Sequence, residues 1–144
     1  MNRCERYRVD PPSLVAALTA PPLLARYRAL VERELVWLAE RGLAEHLRRC
    51  LRLAGELEAG DLASVARRDR AGLDALLTDL FAVATWQGWQ LPLERLDDAE
   101  LALDDLPRGL LGADESREGA ALWLLDGGTL ALARQRQPGP VQRA

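Results

Sequence analysis

The chain has 144 residues and a formal net charge of −3, and leucine and alanine fill 53 of its positions. That length supports one domain with one modest core, and the helix-forming composition excludes an all-β or disordered chain. The acidic balance argues against general nucleic-acid binding, and two cysteines, Cys4 and Cys50, are too few for a secreted disulfide scaffold.

Residues 1–10 are charged and read as an N-terminal arm. Arg3, Arg6 and Arg8 ahead of the apolar stretch Leu14–Leu24 have the outline of a signal peptide. Glu5, Asp10 and the prolines at 11, 12, 21 and 22 argue against one. No apolar run is long enough to span a bilayer, so the expectation is a cytoplasmic protein with no membrane partner. Asp10-Pro11-Pro12-Ser13 starts a short helix that Pro21-Pro22 interrupts, and a second helix is predicted over about 22–41. Its apolar positions are Leu24, Tyr27, Val31, Leu35 and Leu38, which form one helical face.

At Gly42 the stripe changes register, to Leu43, Leu47, Cys50, Ala54 and Leu57, so a third helix is predicted over 43–59. Gly60-Asp61 ends it and caps the next. The stripe Leu62, Val65, Asp69, Leu73, Leu76, Leu80, Ala84 predicts a single helix over 62–86, antiparallel to the third. Asp69, polar on that stripe, is placed to meet an arginine such as Arg48 or Arg52.

Residues 91–119 form an acidic connecting segment. Between 94 and 118 lie nine acids and three arginines. Leu93, Leu96, Ala99 and Leu103 suit a short helix, and Leu101 with Leu103 a strand. Ala121–Leu125, the turn Asp126-Gly127-Gly128 and Thr129–Arg134 predict a β-hairpin over 120–134, which must dock on the helices or pair with another strand. A loose tail takes 135–144. The expected fold is a single mainly α domain. It comprises an antiparallel helical bundle over 11–90 and a small C-terminal β-hairpin.

Little in the chain advertises catalysis. His46, the only histidine, sits four residues before Cys50, so both project from one helical face. That spacing suits a thiol–imidazole pair or half a metal site. It equally suits a core cysteine beside a boundary histidine, and the missing further ligands favour that second reading. No phosphate-binding glycine loop, nucleophile elbow or calcium loop is present. No catalytic residue, metal site or cofactor is therefore expected. The arginines at 48, 49, 52, 67, 68 and 70 read as a solvated face balanced by Glu45, Glu56, Glu58 and Asp74.

Four tryptophans against one phenylalanine are unusual. Trp37, and Trp86 with Trp89 at a helix end, are candidate anchors for a partner.

Ala54-Gly55-Glu56-Leu57-Glu58-Ala59-Gly60-Asp61-Leu62, followed by Arg70 and leucines at 73, 76, 77 and 80, resembles the helical hairpin of small flagellar and type III secretion export chaperones. The resemblance implies a non-enzymatic protein that covers an export substrate with an amphipathic helix. The leading expectation is thus a protein-binding accessory, a chaperone or adaptor. It would present the leucine-rich faces of 22–41 and 62–86 to a protein partner encoded nearby, or to a second copy as a homodimer. An alternative is an immunity protein or antitoxin that plugs a toxin's basic cleft with Asp97, Asp98, Asp104 and Asp105. A small metal-dependent enzyme built on His46, Cys50 and acids is a further alternative.

Overall fold

A computed structural model describes residues 1–114 and 120–134, excluding the side chains of 35–39, 120 and 134. The elements run β1 (Asn2–Val9), α1 (Pro11–Leu18), α2 (Pro21–Ala39), α3 (Ala44–Glu58), α4 (Leu62–Arg68), α5 (Arg70–Trp86), β2 (Leu93–Leu101), β3 (Ala120–Leu124) and β4 (Thr129–Arg134). The four strands make one antiparallel sheet in the order β2-β1-β4-β3. The fold is α+β, which corrects the expectation of a mainly helical bundle carrying only a C-terminal hairpin.

The expected N-terminal arm is strand β1, and most of the first half of the acidic segment is its neighbour β2. Each segment alone looks solvated because of its charges, but side by side the charges cancel. Arg6 donates through Nε and a terminal nitrogen to both carboxylate oxygens of Asp97, at 2.7 and 2.5 Å. Arg8 lies 3.7 Å from Glu94, and Arg95 reaches Glu5 at 2.8 Å. Opposite charges across an antiparallel pair favour this register. A bulge interrupts it: Arg6 pairs with Asp97 but Tyr7 with Arg95, leaving Leu96 as the extra residue.

The alternation of β1 divides its side chains between two faces. Tyr7 and Val9, with Leu122, Leu130 and Leu132, face the helices and join the main core. Tyr7 meets Phe81 edge to face at 6.1 Å between ring centroids. Cys4, Ala121, Trp123 and Ala131 lie on the other face, where Leu103 packs against them. The chain leaving β2 therefore passes beneath the sheet. It reaches the far edge where Gly109 bridges Trp123, and the Arg108 guanidinium lies 5.6 Å from the Trp123 ring centroid. One sheet edge is thus covered, while the other, β2, is lined with charges that discourage strand addition.

The ends of α2 and α3 fall close to the expected ones, for local reasons. Gly42 and Gly60 take φ of 78° and 84°, the left-handed conformation that ends α2 and α3. The pairs Glu56–Arg68, Arg49–Asp69 and His46–Asp79 run in opposite directions along the chain, so α3 lies antiparallel to the segment after it. That segment is not one helix. It breaks at Asp69, whose φ of −145° and ψ of 66° are non-helical, and whose carboxylate accepts the Gly72 N–H at 3.0 Å to cap α5. Arg49, rather than Arg48 or Arg52, meets this aspartate.

α5 is the central element. Leu73, Leu76, Leu77, Leu80, Phe81 and Ala84 are all at or near complete burial, and each large apolar side chain so placed contributes roughly 1.5–3 kcal/mol. Among the described residues of the helix faces expected to await a partner, those of α5 are spent inside the chain, and Leu24, Tyr27 and Val31 of α2 are buried as well. Among the described residues no single helix is long and apolar enough to cross a membrane; α1 and the first part of α2 reach that composition together but meet at 55°.

Candidate functional site

Three helices bring four polar side chains together at the N-terminal half of α3. The i, i+4 spacing on α3 sets His46 over Cys50, α5 contributes Asp79 and α2 contributes Tyr27. His46 Nε2 lies 3.0 Å from Asp79 Oδ2 and 3.7 Å from Cys50 Sγ. The Tyr27 hydroxyl donates to the same Asp79 Oδ2 at 3.0 Å. Cys50 and Tyr27 are buried, whereas the side chains of His46 and Asp79 keep 32% and 30% of their surface exposed. The cluster is therefore closed on the core side and open to solvent at its rim.

The hydrogen bond to Asp79, then that to Cys50, raises His46 to about 10, against an opposing effect of burial. His46 is thus an imidazolium paired with Asp79 at neutral pH. Burial pushes the Cys50 thiol up and outweighs the imidazole beside it. Tyr27 is likewise raised, first by burial and then by Asp79. A neutral, buried thiol is a poor nucleophile. Moreover, Asp79 and Cys50 address the same ring nitrogen, whereas a Cys–His–Asp relay needs them on opposite nitrogens. The arrangement suits holding a proton or a cation among N, S and O atoms. The ligating atoms of His46, Cys50 and Asp79 lie within 4.8 Å of one another.

The spacing of His46 and Cys50 was legible in the sequence. Asp79 and Tyr27, from other helices, were not. Tyr27 reads as one more core residue of its stripe, and Asp79 as a polar position on a long helix.

The expected partner-binding residues scatter. Trp86 is 75% exposed on the last turn of α5. Trp89 packs partly against the core, and its Nε1 donates to Gln87 Oε1 at 3.3 Å. Arg26 of α2 donates to the same oxygen at 3.0 Å. Arg26, Gln87 and Trp89, with Pro22, Ala25 and Ala29, line a shallow groove of about 650 Å³. Trp37 lies on α2 among the side chains outside the described residues. Asp97 and Asp98 belong to β2 and are engaged by Arg6 and Arg95. Asp104 and Asp105 are exposed in the turn after Leu103. Among the described residues, Trp86 and Trp89 lie at the end of α5, Asp97 and Asp98 on β2, and Asp104 and Asp105 in the turn that follows it.

Asp74 corrects another expectation. It is not on a solvated face but fully buried, accepting the N–H groups of Leu111 at 3.0 Å and Ala113 at 2.8 Å. Of the arginines, Arg49 and Arg68 pair with Asp69 and Glu56, and Arg70 donates to the Leu111 carbonyl at 2.7 Å. Compared with family models, curated proteins and solved structures, the chain matches none.

Proposed function

We propose that the protein is a non-catalytic binding module for another protein, and that it docks through the end of α5. The observation that carries this reading is Trp86, three-quarters exposed and next in the chain to Gln87, which lines a groove with Pro22, Ala25 and Ala29. Tryptophan left in water at this extent is the residue type that most often anchors an interface. The groove's polar rim is already organised, because Gln87 is held by both Arg26 and Trp89. A partner therefore meets a fixed surface and loses little entropy in ordering it.

The resemblance of the α3–α4 hairpin to export chaperones supports the class of function, a protein that holds another. It does not support the surface first expected, since the leucine faces of α2 and α5 are largely internal. For the acidic-plug alternative, Asp97 and Asp98 are engaged by arginines, which leaves the turn at Asp104 and Asp105 as its remaining surface.

The experiment is to coexpress the chain with each product of its neighbouring genes and measure binding of the wild type and of Trp86→Ala. Truncating an anchor of this kind costs about 2–4 kcal/mol of binding, roughly 30- to 1,000-fold in affinity. The melting temperature should stay unchanged. Docking by apolar burial should also survive high salt. Full binding by Trp86→Ala, with loss on reversing Asp104 and Asp105, would transfer the function to the acidic turn.

A further inference from the structure

We propose that His46, Cys50 and Asp79 form a binding site for a zinc-class divalent transition-metal ion, with Tyr27 positioning the carboxylate. This goes beyond the docking surface and does not depend on it.

The first argument is convergence. Cys50 Sγ and Asp79 Oδ2 both approach His46 Nε2, at 3.7 and 3.0 Å. One ring nitrogen carries at most one hydrogen and cannot serve both neighbours fully. A cation among the three atoms satisfies all of them at once. The second argument is distance. Zinc binds N, O and S at about 2.0–2.3 Å in tetrahedral geometry, which sets its ligand atoms about 3.4–3.6 Å apart. The two measured separations bracket that range, and all three atoms lie within 4.8 Å. The Cys50–Asp79 separation must close to the same range, which rotation of the part-exposed Asp79 carboxylate allows.

Chemistry narrows the ion. An imidazole, a thiolate and a carboxylate form a mixed set that suits zinc or cobalt, whereas calcium and magnesium take oxygen ligands throughout. On binding, the cation displaces the protons of the Cys50 thiol and of His46 Nε2, which leave to solvent. The rim formed by His46 and Asp79 is partly exposed, so the ion has a path in and water can fill the fourth position. The Tyr27 hydroxyl, donating to Asp79 Oδ2, orients the carboxylate as an outer-sphere partner does.

The test adds Co²⁺ alone to the metal-free full chain and follows absorption. Expected are saturation at one equivalent, intense visible bands of tetrahedral cobalt, and a near-ultraviolet thiolate-to-cobalt band. Cys50→Ser should remove the thiolate band and weaken binding by at least about 100-fold, more than an outer-sphere change costs. Tyr27→Phe should weaken binding about tenfold while leaving the thiolate band in place. Cys4→Ser, on the opposite face of the sheet, should change nothing. If Cys50→Ser does not fold, His46→Gln at the exposed rim supplies the same loss of affinity, with circular dichroism confirming the fold. Absence of saturable wild-type binding at millimolar Co²⁺ overturns the proposal, as does a thiolate band that survives in Cys50→Ser.

Discussion

Replacing Asp74 with alanine should unfasten the loop that ties the sheet edge to α5. Asp74 is completely buried, and its two oxygens accept the N–H groups of Leu111 and Ala113. Both donors sit in a part-buried loop and lose their partner once the carboxylate is gone. A buried backbone N–H left unpaired costs about 1–3 kcal/mol. Against that stands relief of the burial that pushes Asp74's carboxyl up more strongly than those N–H groups hold it down, with Asp114 adding to the rise. The net loss is about 2–4 kcal/mol, and at roughly 2–4 °C per kcal/mol for a chain of this size the melting temperature falls by about 5–15 °C. Thermal and urea unfolding followed by circular dichroism measure it.

The same residue has a pH signature. Its folded value lies above the unfolded one of 3.8, so the native state binds the extra proton and stability declines as pH rises through that window. Asp74→Asn should flatten this slope. Gly109→Ala is the companion probe. Gly109 takes φ of 95°, and a Cβ there would collide with the Asp74 carboxylate. It should destabilise by an amount comparable to Asp74→Ala, and the two should be far from additive because both release the same loop. An Asp74→Ala variant that melts within about 0.5 kcal/mol of wild type would refute this reasoning.

Other outcomes follow from the remaining contacts. The His46–Asp79 pairing raises the folded pKa from 6.5 to about 10, so its stabilisation is complete below the unfolded value and is lost as pH rises through about 10. Because a third of the pair faces water, His46→Gln should cost only about 1–2 kcal/mol at neutral pH in metal-free protein, with the difference from wild type vanishing in alkali. Arg6→Asp should weaken the β1–β2 pairing slightly, and adding Asp97→Arg should restore it; a cycle in high salt should show a smaller coupling.

The helices were legible because their causes are local. Prolines at 11, 12, 21 and 22 start two of them, and Gly42 and Gly60 end two. Asp69 was visible as a polar residue on an apolar stripe, though its meaning as a helix break was not. The β-hairpin over 120–134 was legible from its Asp126-Gly127-Gly128 turn, where Gly128 N–H reaches Asp126 Oδ1 at 3.0 Å.

What composition and spacing determined on their own was the first three helices, the C-terminal hairpin and the placing of His46 with Cys50 on one face. Tertiary structure decided everything that joins distant segments. It paired Arg6 with Asp97 across 91 residues, sent Asp74 inward to a loop 37 and 39 residues away, and brought Asp79 and Tyr27 to His46. The physical reason is that a charged or polar residue carries no mark of its partner. Arginine in β1 and aspartate in β2 look like solvated surface until the chain closes and each replaces the other's water.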